Sequence, residues 1–262
     1  MSDRVLLDMT DGIAVITLND PQKRNALSDE MVSALIAAVD TCEAHDDVGA
    51  VVLTGAGKGF CAGGDIKTMG PDADNRPHVT KRYIWNDIQA FPKRLATFEK
   101  PIIAAINGAA TGAGMDYAMA CDIRIAGESA RFSESYARLG LLPGGGGAYF
   151  LPRLVGKARA LELLWTADFV DAATALEIGL VNHVYPDAAL LDEAKQFAAR
   201  IAAQPPFSIR HIKRAVNQGM HTDLATALDL ISSHIAIAKS GADHLEAVAA
   251  LLEKREGQYL GY

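Results

Sequence analysis

Cysteine is scarce in this chain. Cys42, Cys61 and Cys121 are its 3 thiols among 262 residues, too few and too scattered for a disulfide framework, and they read as small core residues in a reducing, intracellular setting. An excess of positive charge is missing too: 25 Lys and Arg stand against 32 Asp and Glu, a net charge of −7. That balance argues against a nucleic-acid partner, although it leaves room for a local basic patch facing a phosphorylated ligand. Every apolar run is broken by charge or glycine before the ~18 residues that a membrane span needs. Met1-Ser2-Asp3-Arg4 lacks the basic-then-apolar pattern of a secretory leader. The expectation is a cytoplasmic protein with no membrane partner.

Several chemistries lack an anchor. Gly55-Ala56-Gly57-Lys58-Gly59 does not have the G-x-x-x-x-G-K-[ST] spacing of a phosphate loop, and Gly112-Ala113-Gly114-Met115-Asp116-Tyr117 has no third glycine for a dinucleotide fingerprint. No G-x-S-x-G elbow, H-E-x-x-H or paired C-x-x-C occurs, so serine hydrolase and zinc chemistry have no foothold, and neither a metal nor a separate cofactor is expected. The 7 histidines are dispersed and read as solvated helix residues. Internal repeats and low-complexity tracts are absent.

What is present is an alternation of strand-like and helix-like runs. Val5–Asp8 and Ile13–Leu18 flank Asp11-Gly12 in the pattern of a hairpin. From Ser28 the period changes: Met31, Leu35, Ala38, Val39 and Cys42 form an amphipathic stripe, with Ser28 or Asp29 as N-cap. Strand-like runs at 49–54, 101–106 and 122–126 alternate with helix-like ones at 79–98, 113–120, 146–154 and 157–166, and 181–185 is a last strand candidate. This predicts an α/β fold of stacked β-β-α units. From Asp187 onward the chain reads as helices broken near Gln204-Pro205-Pro206, Gly219 and Ser240-Gly241, so a core over 1–200 and a helical region over 201–262 are expected.

Two Gly-rich turns carry the functional signal. Asn107 to Asp116 links the apolar run Ile102–Ile106 to a helix-like one, and Thr54 to Lys67 follows the buried-strand run Val51-Val52-Leu53. Glycines there let the backbone approach closely, and free N–H groups can face a developing negative charge. Two such donors can make an oxyanion hole.

The ordered motifs Gly59-Phe60-Cys61-Ala62-Gly63-Gly64-Asp65-Ile66-Lys67, Lys100 to Gly108, Cys121-Asp122-Ile123-Arg124-Ile125-Ala126, Phe132 with Gly140 to Gly147, and Gly179-Leu180-Val181-Asn182 resemble those of the crotonase family of enoyl-CoA hydratases and isomerases. The resemblance runs from about residue 5 to Glu253-Lys254-Arg255. It implies a spiral of β-β-α turns with a C-terminal helical region that packs trimers, commonly paired into hexamers. It places the oxyanion donors on the backbone N–H groups of Gly64 and Ala113. Coenzyme A, as part of the substrate, would lie along Lys23, Arg24 and Ala26 and along Ala62, Asp65, Ile66 and Lys67, with Lys254 and Arg255 as further candidates, and the acyl pocket would draw on 68–98.

The acids depart from the hydratase pattern. Family hydratases use two glutamates, and here the two positions hold Asp116 and Tyr136; the aspartate that some isomerases carry eight residues on is Gly144. Tyrosine donates a hydrogen bond but is a poor base near neutrality. Asp116 is expected to move the proton and Tyr136 to orient substrate or water, with Glu134 as an alternative acid. Enoyl-CoA hydratase/isomerase chemistry is the leading expectation. The alternatives are C–C hydrolysis or decarboxylation of a β-keto or malonyl-type acyl-CoA, or a non-catalytic CoA-binding homologue.

Overall fold

The structure, a computed structural model, describes residues 3–70 and 74–262. Met1 and Ser2, on which the leader reading partly rests, and residues 71–73 of the expected acyl-pocket segment lie outside the described residues.

β1 (Val5–Thr10) and β2 (Ile13–Leu18) form the expected hairpin, its turn residues Asp11 and Gly12 both at positive φ as a twist-matched two-residue turn requires. α1 (Asp29–Ala44) is capped by Ser28, whose Oγ accepts the Met31 N–H, and it buries the expected stripe. β3 (Ala50–Gly55) and β4 (Gly59–Cys61) follow. The run at 79–98 is not one helix but α2 (Pro77–Tyr83), a π-helical turn over Ile84–Ile88, and α3 (Ala90–Leu95). The cause is Pro92, which has no N–H to offer the Ile88 carbonyl. The Tyr117 hydroxyl donates to that carbonyl instead, at 2.9 Å.

β5 (Ile102–Ile106), β6 (Ala109–Thr111) and α4 (Ala113–Ala120) form one turn of a spiral, and β7 (Ile123–Gly127), β8 (Arg131–Ser133), α5 (Gly147–Val155) and α6 (Lys157–Thr166) the next. β9 (Val170–Asp171), α7 (Ala172–Glu177), β10 (His183–Tyr185) and α8 (Leu190–Ala202) complete the core, and α9 (Pro206–Gly219), α10 (Leu224–Ser240) and α11 (Ala242–Glu253) follow it. Each turn gives its first strand to a larger sheet, ordered β1-β2-β3-β5-β7-β10, and its second to a smaller one, ordered β4-β6-β8-β9. Apart from the antiparallel pairs β1/β2 and β8/β9, the pairings are parallel. The α/β spiral read from the sequence is therefore the observed architecture.

The inner strands β3 and β5 of the larger sheet are buried on both faces, which is why they read as unbroken apolar runs, whereas the edge strand β1 is largely exposed. Val51, Leu53, Ile102, Ala104 and Ile106 face α1, Phe60 and Tyr117. Their neighbours Val52, Ile103 and Ala105 turn the other way, toward Leu190, Ala194 and Ala198 of α8. α9 and α10 have no buried residue. Leu224, Leu228, Ile235 and Ile237 of α10, with Leu245, Leu251 and Leu252 of α11, stand more than half exposed. No helix among the described residues is long and apolar enough to cross a membrane.

Candidate active site

The two Gly-rich turns fold against one another, and Asn25 locks the first of them. It is fully buried at φ 56°, and its amide donates to the carbonyls of Ala56, Gly59 and Phe60 at 2.9–3.1 Å. The Ala62 N–H donates to Arg24 O and the Leu27 N–H to Gly63 O, so the two candidate CoA segments lie side by side. Lys23, Arg24, Ile66 and Lys67 are exposed; Ala26, Ala62 and Asp65 are half-buried. Asp65 accepts the Lys67 N–H at 3.0 Å, capping a 3-10 turn over Ile66–Met69. Arg255 is engaged elsewhere, paired with Glu246 and Glu253.

Gly63 is what brings Gly64 up to the second turn. It sits at φ 78°, and a Cβ there would stand 2.6 Å from Thr111 O and 3.1 Å from the Ala113 nitrogen. The Thr111 hydroxyl donates to Ala62 O at 2.9 Å and ties the two turns together. Ala113 opens α4 behind Gly112, whose φ of 51° and ψ of −126° suit glycine alone. Among the described residues no acceptor takes the N–H of Gly64 or of Ala113. Two such donors, one on a helix N-terminus, can polarise a single oxygen placed between them.

One turn into α4, Asp116 is fully buried. Its Oδ2 accepts from the Tyr136 hydroxyl at 2.6 Å and from the Gly145 N–H at 2.8 Å. Glu134, just past β8, is buried as well and faces the same carboxylate across Gly147: a Cβ on Gly147 would lie 2.4 Å from Asp116 Oδ1 and 2.9 and 3.0 Å from the two Glu134 oxygens. Asp116, Glu134 and Tyr136, all candidates from the sequence, thus meet in one cluster. Gly145 and Gly147 complete it. The sequence showed the run Gly144–Gly147 without revealing its purpose, which is to bring bare backbone against two carboxyls.

Burial sets the protonation of this cluster. Desolvation raises the Asp116 carboxyl to about 6, opposed by the hydrogen bonds it accepts. Desolvation and then the Asp116 charge hold the Glu134 carboxyl far above the usual carboxylate range, and the same two causes keep Tyr136 a neutral donor. A cavity of about 1080 Å³ lies elsewhere, between Asp46, Lys100, Gln204, Arg210 and Tyr259, and shares no residue with the cluster. No group of His, Cys, Asp and Glu among the described residues could hold a metal ion.

Residues 8–261 match the family model described as enoyl-CoA hydratase/isomerase. The chain belongs to the crotonase superfamily. It is 38% identical over 266 residues to the 1,2-epoxyphenylacetyl-CoA isomerase of Escherichia coli K12, with all of both chains covered. It is 40% identical over 255 residues to the short-chain-enoyl-CoA hydratase of Clostridium acetobutylicum, covering 97% of this chain and 96% of the relative. The crystal structure of an enoyl-CoA hydratase from Bacillus anthracis superposes with a TM-score of 0.93 at 34% identity, covering 99% of this chain and 100% of the other. As a crotonase, this chain is an enzyme of hydratase/isomerase type.

Proposed function

We propose that this crotonase acts on an enoyl-CoA thioester and favours relocation of a proton along the acyl chain over addition of water. The observation that carries this reading is the placement of Asp116, one turn beyond the free Ala113 N–H and held by the Tyr136 hydroxyl where a hydratase would have its second glutamate. The thioester oxygen would sit on the N–H groups of Gly64 and Ala113. Asp116 would take a proton from the acyl carbon as the C–H electrons move into the enolate, then return it at another carbon. Tyr136 would orient Asp116. The adjacent segments 23–26 and 62–67 support binding of the CoA part of the substrate, with Lys23, Arg24 and Lys67 as exposed cations for its phosphates. The chemistry calls for neither a metal nor a separate cofactor, and the three buried thiols suit the cytoplasm.

Turnover of enoyl-CoA substrates by Ala113→Pro tests the donor assignment. Proline is tolerated at the first position of a helix yet has no N–H. The folded variant is expected to lose roughly 10²–10³-fold in kcat, as removal of one oxyanion donor does elsewhere. Wild-type turnover would exclude Ala113 as a donor.

The exposed apolar faces of α10 and α11 support assembly into a trimer or a dimer of trimers. Sedimentation is expected to give three or six copies at micromolar protein. A stable monomer would refute this.

A further inference from the structure

The Asp116 and Glu134 carboxyls are buried together, and among the described residues no cation is paired with either of them. Asp116 Oδ1 and both Glu134 oxygens have no hydrogen-bond partner, while Asp116 Oδ2 has two. Buried polar atoms are almost always satisfied, and three unsatisfied oxygens in one small space require an explanation. Two ionised carboxylates are both acceptors and cannot satisfy each other. Among the described residues the titratable groups that interact with the pair are its own two members, Tyr136 and Tyr117, all of them acids, and no Lys, Arg or His stands among the causes acting on either carboxyl. Two negative charges placed this close without a counter-charge cannot both persist.

We infer that Glu134 is a positioning residue that carries a proton at neutral pH and directs it at Asp116 Oδ1, so that the two carboxyls work as a dyad holding one proton and one negative charge. This rests on reading Asp116 as the proton-transfer group. One proton satisfies two of the three oxygens, since one Glu134 oxygen then donates and Asp116 Oδ1 accepts. It also explains Gly147: any side chain there would wedge the two carboxyls apart. Asp116 is then held from two sides, by Tyr136 and Gly145 on Oδ2 and by Glu134 on Oδ1. With each proton transfer the net charge of the dyad passes from minus one to zero and back, and the Glu134 proton is not consumed. Glu134 in this role is no second base, so its presence does not restore the two-carboxylate arrangement of the hydratases.

The amide of Glu134→Gln keeps a neutral donor, whereas Glu134→Leu keeps the volume and loses the donor. If Glu134 works as the protonated partner, Glu134→Gln keeps kcat within about 3-fold of wild type and leaves the pH profile in place. Glu134→Leu moves the acid limb of kcat upward by about one pH unit, because losing a donor to the charged form of Asp116 disfavours that form. If Glu134→Gln is as impaired as Glu134→Leu, Glu134 acts through its charge and the inference fails. If neither variant differs from wild type, Glu134 does not act on Asp116 and it fails again. A readout free of turnover keeps the test valid should Glu134→Leu not fold or the substrate be misassigned. Infrared spectra of wild type minus Glu134→Gln at neutral pH are expected to show the carbonyl stretch of a protonated carboxylic acid; a carboxylate signal there overturns the inference, whatever the enzyme turns over.

Discussion

Asp116→Asn is expected to lower enoyl-CoA turnover by roughly 10²–10⁴-fold, the usual cost of losing acid–base catalysis, while the protein stays folded. The geometry favours a clean substitution. Both hydrogen bonds to Asp116, from the Tyr136 hydroxyl and the Gly145 N–H, land on the same oxygen, Oδ2. An asparagine carbonyl in that position accepts both, and its NH2 then stands where Oδ1 faced Glu134. What is lost is basicity, together with the acceptor that Oδ1 offers to Glu134. On the proposed mechanism the base form of Asp116 is the active one, and burial raises its carboxyl to about 6, so kcat is expected to fall as the pH drops below that value and to level above it. The residual activity of the asparagine variant should lack this acid limb. Assays of the 3-enoyl to 2-enoyl shift and of crotonyl-CoA hydration between pH 5 and 8, with circular dichroism as the check on folding, decide the matter. Wild-type turnover in the folded variant would show that the proton is moved by another group.

The inner strands of the larger sheet were legible because β3 and β5 are buried on both faces. Runs such as Val51-Val52-Leu53 and Ile102 to Ile106 have no polar alternation to obscure them, and α1 announces itself through Ser28 and its apolar stripe. The smaller sheet was not legible. β4, β6 and β8 have 3 residues each and β9 has 2, too short for any period to register, and they sit beside glycines that read as turns. The break in the 79–98 helix is a tertiary effect, in which Pro92 leaves a carbonyl that the distant Tyr117 supplies with a donor. Within the site, Asp116 and Tyr136 could be named from motif position and Glu134 from its spacing to Tyr136. Their meeting on a single carboxylate, and the cradle formed by Gly145 and Gly147, depend on α5 folding back over α4, which local sequence does not encode.

Tyr136→Glu is expected to raise the ratio of hydration to isomerisation by on the order of 10-fold or more, since water addition needs one group to deprotonate water and a second to manage the proton at carbon. The tyrosine hydroxyl reaches to 2.6 Å from Asp116 Oδ2. A glutamate side chain is shorter than a tyrosine, so its carboxylate stops short of Asp116 and opens space for a water between the two. On the proposed reading two properties of the wild-type site disfavour hydration, the occupation of that space by the phenol and the neutrality of its hydroxyl, and the substitution reverses both. A third carboxyl beside Asp116 and Glu134 raises the proton affinity of the cluster, and the group that holds the extra proton is the most buried one. The acid limb of the variant is therefore expected at higher pH than in wild type. Tyr136→Phe serves as the control. It removes the donor to Asp116 without adding a base, and it should lower both activities together without changing their ratio. A folded Tyr136→Glu enzyme with an unaltered ratio would mean that the balance between the two reactions is set outside this cluster, in the acyl pocket that fixes which carbon lies over Asp116.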